Sequence, residues 1–144
     1  SAAHPDWHLR IYRTPAGLRV LAMHRTFQPD DADAALLFSA LQADHLYTVM
    51  CKVQRCFRAR LTPKPWRIGI DQRIRPPVAA WSAEQANLPE RLQWIAGYEQ
   101  RSSGHAACRY LGALGDTARI DPKAEHVRAL HDAMARADSD LPLA

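Results

Sequence analysis

The strongest local folding signal in the chain is a β-hairpin near its start. Residues 7–14 and 18–26 show the period-two alternation of half-buried strands. Between them, Thr14-Pro15-Ala16-Gly17 suits a tight turn, because proline presets the first central position and glycine accepts the left-handed conformation that follows in a bulged hairpin. The hairpin predicts that an antiparallel sheet begins here.

Helical signals follow the hairpin. Helix starts are marked by aspartate caps or by proline in the first turn, at Pro29-Asp30-Asp31, Asp44, Pro89 and Asp121-Pro122. A strand is predicted over about 106–111. The order predicts an α+β fold, a single domain in which the antiparallel sheet started by the N-terminal hairpin carries helices on one face, with a flexible tail over 138–144.

Composition sets the broad class of the protein. The chain has 144 residues, enough for one hydrophobic core, and no apolar run reaches the length of a membrane helix. Its three cysteines are too few and too odd in number for a disulfide framework. We therefore expect a cytoplasmic protein that does not associate with membranes.

Positive charge is concentrated in the middle of the chain. Between Cys51 and Arg75 eight basic residues face one acid, Asp71, so this segment carries +7 while the whole chain carries +4. The rest of the chain is therefore at −3. Such an asymmetry predicts a local positive potential and an anionic partner.

The segment from Phe57 to Arg67 reads F-R-A-R-L-T-P-K-P-W-R and is the main candidate site. Its first half alternates like a strand, which would place Arg58 and Arg60 on one face about 6–7 Å apart. Lys64 stands between two prolines that stiffen its backbone. Trp66 is a platform on which a base could stack, with Arg67 beside it. Residues 66–70 are predicted to form a short edge strand.

Two readings of this segment remain open. In the first, Arg58, Arg60, Lys64 and Arg67 bind phosphates of nucleic acid or a nucleotide, with auxiliary contacts from Arg13 and Arg19, which flank the hairpin turn. In the second, Arg58 and Arg60 pair with the aspartates around the first helix and Trp66 fills the core. These aspartates are Asp30, Asp31, Asp33 and Asp44.

Catalytic signals are weaker. His24 is the candidate general base, although a single histidine on an apolar strand face is typically a core residue with satisfied hydrogen bonds. His126, His131 and Asp132 lack the i, i+4 spacing of helical metal pairs, so we expect neither a metal nor another cofactor. No Walker loop, G-x-S-x-G or G-x-G-x-x-G motif occurs.

Two resemblances add to this reading. The motif R-A-R-L-T-P-K-P-W-R, with the Y-R-T-P-A-G-L-R hairpin and the late V-R-A-L-H-D helix, resembles a conserved uncharacterised bacterial family. The order of Thr14-Pro15-Ala16-Gly17, then Arg58, Arg60 and Lys64, is similar to archaeo-eukaryotic primase-polymerase domains. Arg19 stands where those domains carry a histidine, and their acidic metal-binding motif is absent. This second resemblance implies nucleotide or nucleic-acid binding without catalysis.

Together these observations predict a non-catalytic binding module for an anionic ligand, with nucleic acid or a nucleotide first. One alternative is an enzyme acting on a phosphorylated or carboxylated small molecule. The other is a protein-interaction subunit with an acidic protein partner.

Overall fold

The computed structural model describes residues 4–71 and 82–144. The elements in chain order are β1 His8–Thr14, β2 Gly17–Ala22, α1 Ala32–Ala40, α2 His45–Gln54, a 3-10 helix Pro65–Ile68, α3 Ala83–Ala86, α4 Pro89–Ser102, β3 Arg109–Gly115 and α5 Pro122–Ala135. The strands form a three-stranded antiparallel sheet in the order β2-β1-β3, which confirms the predicted α+β class. Arg73 and Arg75 of the basic segment lie outside the described residues.

The described residues group into two compact units. The first contains the residues up to Ile11, Val20–Arg60 and Gly112–Ala129. The second contains Tyr12–Arg19, Leu61–Leu111 and Leu130–Ala144. The expectation of a single domain stays a prediction.

The predicted hairpin is confirmed, and its turn is held by its own side chains. The Thr14 hydroxyl donates to the Gly17 carbonyl (3.1 Å) and accepts the Ala16 N–H (3.3 Å). Gly17 has a φ of +145°, a conformation that a residue with a Cβ rarely adopts. The turn geometry at residues 14–17 thus explains why threonine and glycine stand at its two ends.

Two of the predicted helix starts carry the capping hydrogen bond that the sequence indicates. The Asp44 carboxylate accepts the Tyr47 N–H (2.7 Å) at the start of α2, and the Asp121 carboxylate accepts the Lys123 N–H (2.8 Å) at the start of α5. α2 ends at Gln54 because Arg55 turns into the left-handed conformation (φ +49°). A cap is a local interaction, so its sequence signature is direct.

The predicted strands between α2 and α3 are wrong. Residues 57–61 form an irregular connection, and residues 66–70 begin with a 3-10 helix. Pro65 occupies the first turn of that helix, where its missing N–H costs nothing, and Gly69 closes it with a φ of +72°. A period-two pattern needs a neighbouring strand to become a ladder, and these residues lie outside the sheet.

The first unit buries the start of β1 against the chain that follows β2. Leu9, Met23, Ala34 and Cys51 are all buried there. The Met23 N–H donates to the His8 carbonyl (2.8 Å), which continues the ladder beyond the end of β2. The core of this unit thus combines one strand end with one face of each neighbouring helix.

The second unit has a core of small side chains closed by the C-terminal residues. Ala106 and Leu143 form a parallel bridge, and the Tyr110 N–H donates to the Ala137 carbonyl (2.8 Å). Ala144 is buried. Of the residues expected to form a flexible tail over 138–144, residues 142–144 pair with Ala106 in the structure. The strand predicted over about 106–111 is found as β3, which begins at Arg109. Among the helices the structure describes, none is long and apolar enough to cross a membrane.

Gly115 permits the closest backbone contact described for the glycines. A Cβ at this position would lie 1.8 Å from the Trp7 carbonyl oxygen, which accepts the Asp116 N–H at 2.8 Å, and the φ of Gly115 is +83°. We expect Gly115→Ala to lower the free energy of unfolding by about 2–4 kcal/mol, because the side chain adds strain and displaces the hydrogen bond from Asp116 to Trp7. Chemical denaturation followed by circular dichroism measures the change.

Gly97→Ala is the matched control. Gly97 lies inside α4, and a Cβ there meets nothing within 4 Å. This substitution should raise stability by about 0.5–1 kcal/mol, the difference in helix propensity. Equal effects of the two alanines would contradict the close approach at Gly115.

Candidate functional site

Arg58 and Arg60 lie in the irregular connection after α2, within the first unit, and both are exposed. The Arg58 Nε donates to the Cys56 sulfur at 3.3 Å. The strand face that was expected to align the two arginines is absent from the described structure of this connection. Their positions are set by an irregular backbone instead.

The aspartates at the start of α1 have arginine partners of their own. Asp33 pairs with Arg25 (2.6 Å) and Asp30 with Arg55 (3.5 Å). The Asp31 carboxylate accepts the Gln28 N–H (3.0 Å). Asp30, Asp31 and Asp33 thus each contact a group other than Arg58 or Arg60, and the pairing of those two arginines with the aspartates stays a prediction.

Lys64 and Trp66 form a local pair in the second unit. The Lys64 ammonium lies 5.0 Å from the centroid of the Trp66 ring, within the range of a cation–π contact. Trp66 is 56 % exposed, so the reading in which it fills the core is not what the structure describes. Arg67 is half-buried in the same 3-10 helix. An aromatic ring and a cation are therefore presented together.

The backbone that carries this pair is anchored to α4 at both ends. The Tyr98 hydroxyl donates to the Pro63 carbonyl (2.7 Å), and Arg101 donates to the Gly69 carbonyl. The Tyr98 ring stacks on Trp94, with the ring planes 2° from parallel. Two fixed points on one helix hold the turn that displays Trp66.

The two arginines that flank the hairpin turn have different surroundings. Arg13 is exposed at the end of β1. Arg19, on β2, donates from Nη1 to Nε2 of His131 at 2.9 Å and lies 3.7 Å from the Cys108 sulfur. The sequence predicted the same auxiliary role for both arginines. In the structure, however, Arg19 is hydrogen-bonded within the second unit.

His131 is held in one tautomer by its two neighbours. Its Nδ1 lies 2.8 Å from the Asp132 carboxylate, and its Nε2 receives the Arg19 N–H. A guanidinium donates and never accepts, so Nε2 must carry the lone pair and Nδ1 the proton. His131 and Asp132 are each 5 % exposed, so a buried carboxylate orients the imidazole.

Cys108 completes this cluster, which we define as Arg19, Cys108, His131 and Asp132. The Cys108 sulfur lies 3.9 Å from Nε2 of His131 and is 0 % exposed. Burial raises the pKa of the Cys108 thiol, and the Arg19 charge only partly offsets that effect. The resting thiol is thus protonated.

Aromatic rings fix the imidazole in place. The ring of Tyr12, a fully buried residue of β1, meets the His131 ring in a T-shaped contact at a centroid distance of 4.7 Å. Tyr110 packs against Tyr12 at 5.6 Å. The hairpin, β3 and α5 thus each supply a residue to the surroundings of His131.

His24, the predicted general base, is a buried residue of the first unit. Its Nδ1 lies 3.2 Å from the His8 backbone nitrogen, and its ring packs between Trp7 and Phe27. Burial lowers the pKa of His24, and its hydrogen bond to the His8 backbone opposes this effect. These contacts fit a core histidine with satisfied hydrogen bonds, and its catalytic role stays a prediction.

Sequence reasoning missed the cluster as a unit. The sequence pattern linked His131 and Asp132 only to metal binding and gave no sign of Cys108 beside them. Among the residues that the structure describes, no group of three His, Cys, Asp or Glu side chains is arranged to hold a metal ion. The adjacent His-Asp pair near the end of an amphipathic helix was the one available signal. Its partners lie 23 and 112 positions away in sequence, so no local pattern joins them.

The lowered pKa of His24 predicts a pH-dependent stability. The unfolded chain binds a proton at this histidine more readily than the native protein does, so stability should fall as the pH drops below about 6.5. We expect the loss between pH 7.5 and 5.5, measured by urea denaturation, to be smaller in His24→Asn than in the wild type. The same pH dependence in both proteins would contradict the burial effect.

Comparisons of this chain with models of protein families, with curated proteins and with solved structures found no match.

Proposed function

We propose that the chain is a binding module for anionic ligands, with single-stranded nucleic acid as the preferred class. The observation that carries the proposal is the exposed Trp66 ring, with a lysine ammonium beside it, on a turn anchored at both ends. Nucleic acid offers a stacking base next to a phosphate, which is the chemistry that an aromatic ring and a cation recognise together.

Exposure of Trp66 supports a ligand-binding role over a packing role. A tryptophan contributes most to stability when its large apolar surface is buried, and an exposed one gives up much of that contribution. The two hydrogen bonds from α4 stabilise the turn that presents it. A preorganised ring loses little entropy when a base stacks on it.

The charges next to Trp66 in sequence support an anionic ligand. Arg58 and Arg60 are exposed in the first unit, and Lys64 and Arg67 belong to the second. Each unit thus contributes basic residues of its own, and the two groups act as separate contacts to phosphate. Guanidinium groups suit phosphate because their planar donors match its oxygens.

The decisive experiment separates stacking from charge. Fluorescence anisotropy of a labelled 12-nucleotide single strand, titrated at several salt concentrations between about 50 and 200 mM, gives both the affinity and its salt dependence. We expect micromolar binding at the lowest salt. Trp66→Leu should weaken it roughly ten-fold, from a stacking contribution of about 1–3 kcal/mol, and leave the salt slope unchanged.

The double variant Arg58→Ala, Arg60→Ala should have the opposite signature. Each lost phosphate contact reduces the salt slope by about 0.7 for a single strand, so the pair should reduce it by about 1.4. The matched control is Lys52→Ala, Lys123→Ala, which removes two exposed charges outside residues 58–67 and should change the slope little. Circular dichroism confirms that each variant folds.

Three results would overturn the proposal. The first is no binding at the lowest salt. The second is an equal reduction of the salt slope in the control variant, because binding would then depend on total charge and not on the positions of Arg58 and Arg60. The third is binding of polyglutamate as tight as that of the strand and insensitive to Trp66→Leu, which would favour an acidic protein partner.

A further inference from the structure

The buried cluster of Arg19, Cys108, His131 and Asp132 plays no part in nucleic-acid binding as proposed above. Three of its members are at most 5 % exposed, and each of them bears a polar or reactive group. Groups of this kind are costly to bury unless they are paired, and a simple hydrophobic core has no need of them. Their arrangement therefore calls for a chemical explanation.

The order of the contacts is that of an activated nucleophile. The Nδ1–H of His131 donates to a carboxylate oxygen of Asp132 at 2.8 Å, and the Cys108 sulfur lies 3.9 Å from Nε2 of the same ring. A nucleophile, a base and a group that orients the base are the parts of a covalent catalytic site. The distance between nucleophile and base is often long before substrate binds.

Arg19 keeps this arrangement at rest. Its N–H occupies the Nε2 lone pair at 2.9 Å, so the base cannot take the thiol proton while that contact lasts. Burial also keeps the thiol protonated by raising its pKa. Arg19 itself is half-buried, so it is the member of the cluster that solvent reaches.

We propose that Cys108 is a nucleophile for a small carbon electrophile that carries a carboxylate or phosphate, with His131 as its base and Arg19 as the residue that binds the anionic group. When the guanidinium pairs with the anion, its N–H leaves Nε2 and the lone pair becomes available. Arginine suits this role because its donors bind such oxygens two at a time.

The covalent step balances within these groups. The Cys108 S–H proton passes to Nε2 of His131, and the sulfur electron pair forms the bond to carbon. The leaving group departs with the electron pair of the bond that breaks. Asp132 is a positioning residue here, since it acts on the imidazole and not on the substrate.

Two alkylating reagents of the same reactivity class test the proposal on the intact protein. Iodoacetate carries a carboxylate and iodoacetamide a neutral amide, and each loses iodide when a thiol attacks its methylene carbon. Peptide mass spectrometry over a time course at pH 7.5 gives separate rates for each cysteine. Cys51, 2 % exposed in α2 of the first unit, is the internal reference for a buried thiol.

We expect iodoacetate to label Cys108 roughly ten-fold faster than iodoacetamide does, the range of one hydrogen bond to a charged group. It should also label Cys108 faster than Cys51. Arg19→Gln should remove the preference for iodoacetate. Arg13→Gln, on the other side of the same turn and exposed, is the matched control and should retain it. His131→Asn should slow iodoacetate at Cys108 and change the rate of iodoacetamide little, because the neutral reagent does not draw Arg19 away from Nε2.

The proposal fails if Cys108 and Cys51 are labelled at one common rate, because both would then react only through unfolding. It also fails if Cys108 prefers iodoacetamide in the wild type. Both results come from the unmodified protein, so an unstable variant leaves the test intact. Nucleic-acid binding is measured separately and is independent of either outcome.

Discussion

A hydrogen bond from Arg19 to Nε2 of His131, 2.9 Å long, joins the hairpin to the last helix within the second unit. Because a guanidinium has no acceptor, Nε2 must accept this hydrogen bond, and the imidazole proton lies on Nδ1. The Nδ1–H group donates a hydrogen bond to the Asp132 carboxylate. The same geometry leaves Cys108 next to a ring nitrogen whose lone pair is occupied. The tautomer of His131 and the availability of its Nε2 to Cys108 both depend on this hydrogen bond from Arg19.

The parts of the fold that were predictable are those with local causes. The turn at residues 14–17 and the caps at Asp44 and Asp121 are each determined within a few residues by backbone geometry or by one side-chain acceptor. The strand expected over 57–61 and the tail expected over 138–144 depended on distant partners. Among the described residues the first has no partner strand, whereas residues 142–144 pair with Ala106.

The candidate sites divide in the same way. Composition alone located the basic segment, and the exposed Trp66 lies within it. The role of Arg19 was not predictable, because its partners are 89 and 112 positions away and a hairpin arginine carries no sign of which way it turns. Arg13 and Arg19 look equivalent in sequence, yet one is exposed and the other is engaged with a buried histidine.

The two proposed activities depend on arginines in different environments: Arg58 and Arg60 are exposed, whereas Arg19 is half-buried. An exposed arginine keeps its hydration and attracts anions over a distance set by salt. Arg19 is partly withdrawn from water, so its charge acts at short range and more strongly on the groups it touches. A protein that binds polyanions at its surface can thus hold a separate arginine for a single small anion.

The tautomer of His131 is the most direct measurement of this arrangement. Nitrogen-15 NMR of the labelled protein at pH 7.5, with the His131 signals identified by their loss in His131→Asn, distinguishes a protonated from an unprotonated ring nitrogen. We expect a proton on Nδ1 and none on Nε2. A proton on Nε2, alone or in an imidazolium, would contradict the hydrogen bond from Arg19 and with it the assignment of His131 as a base held in reserve.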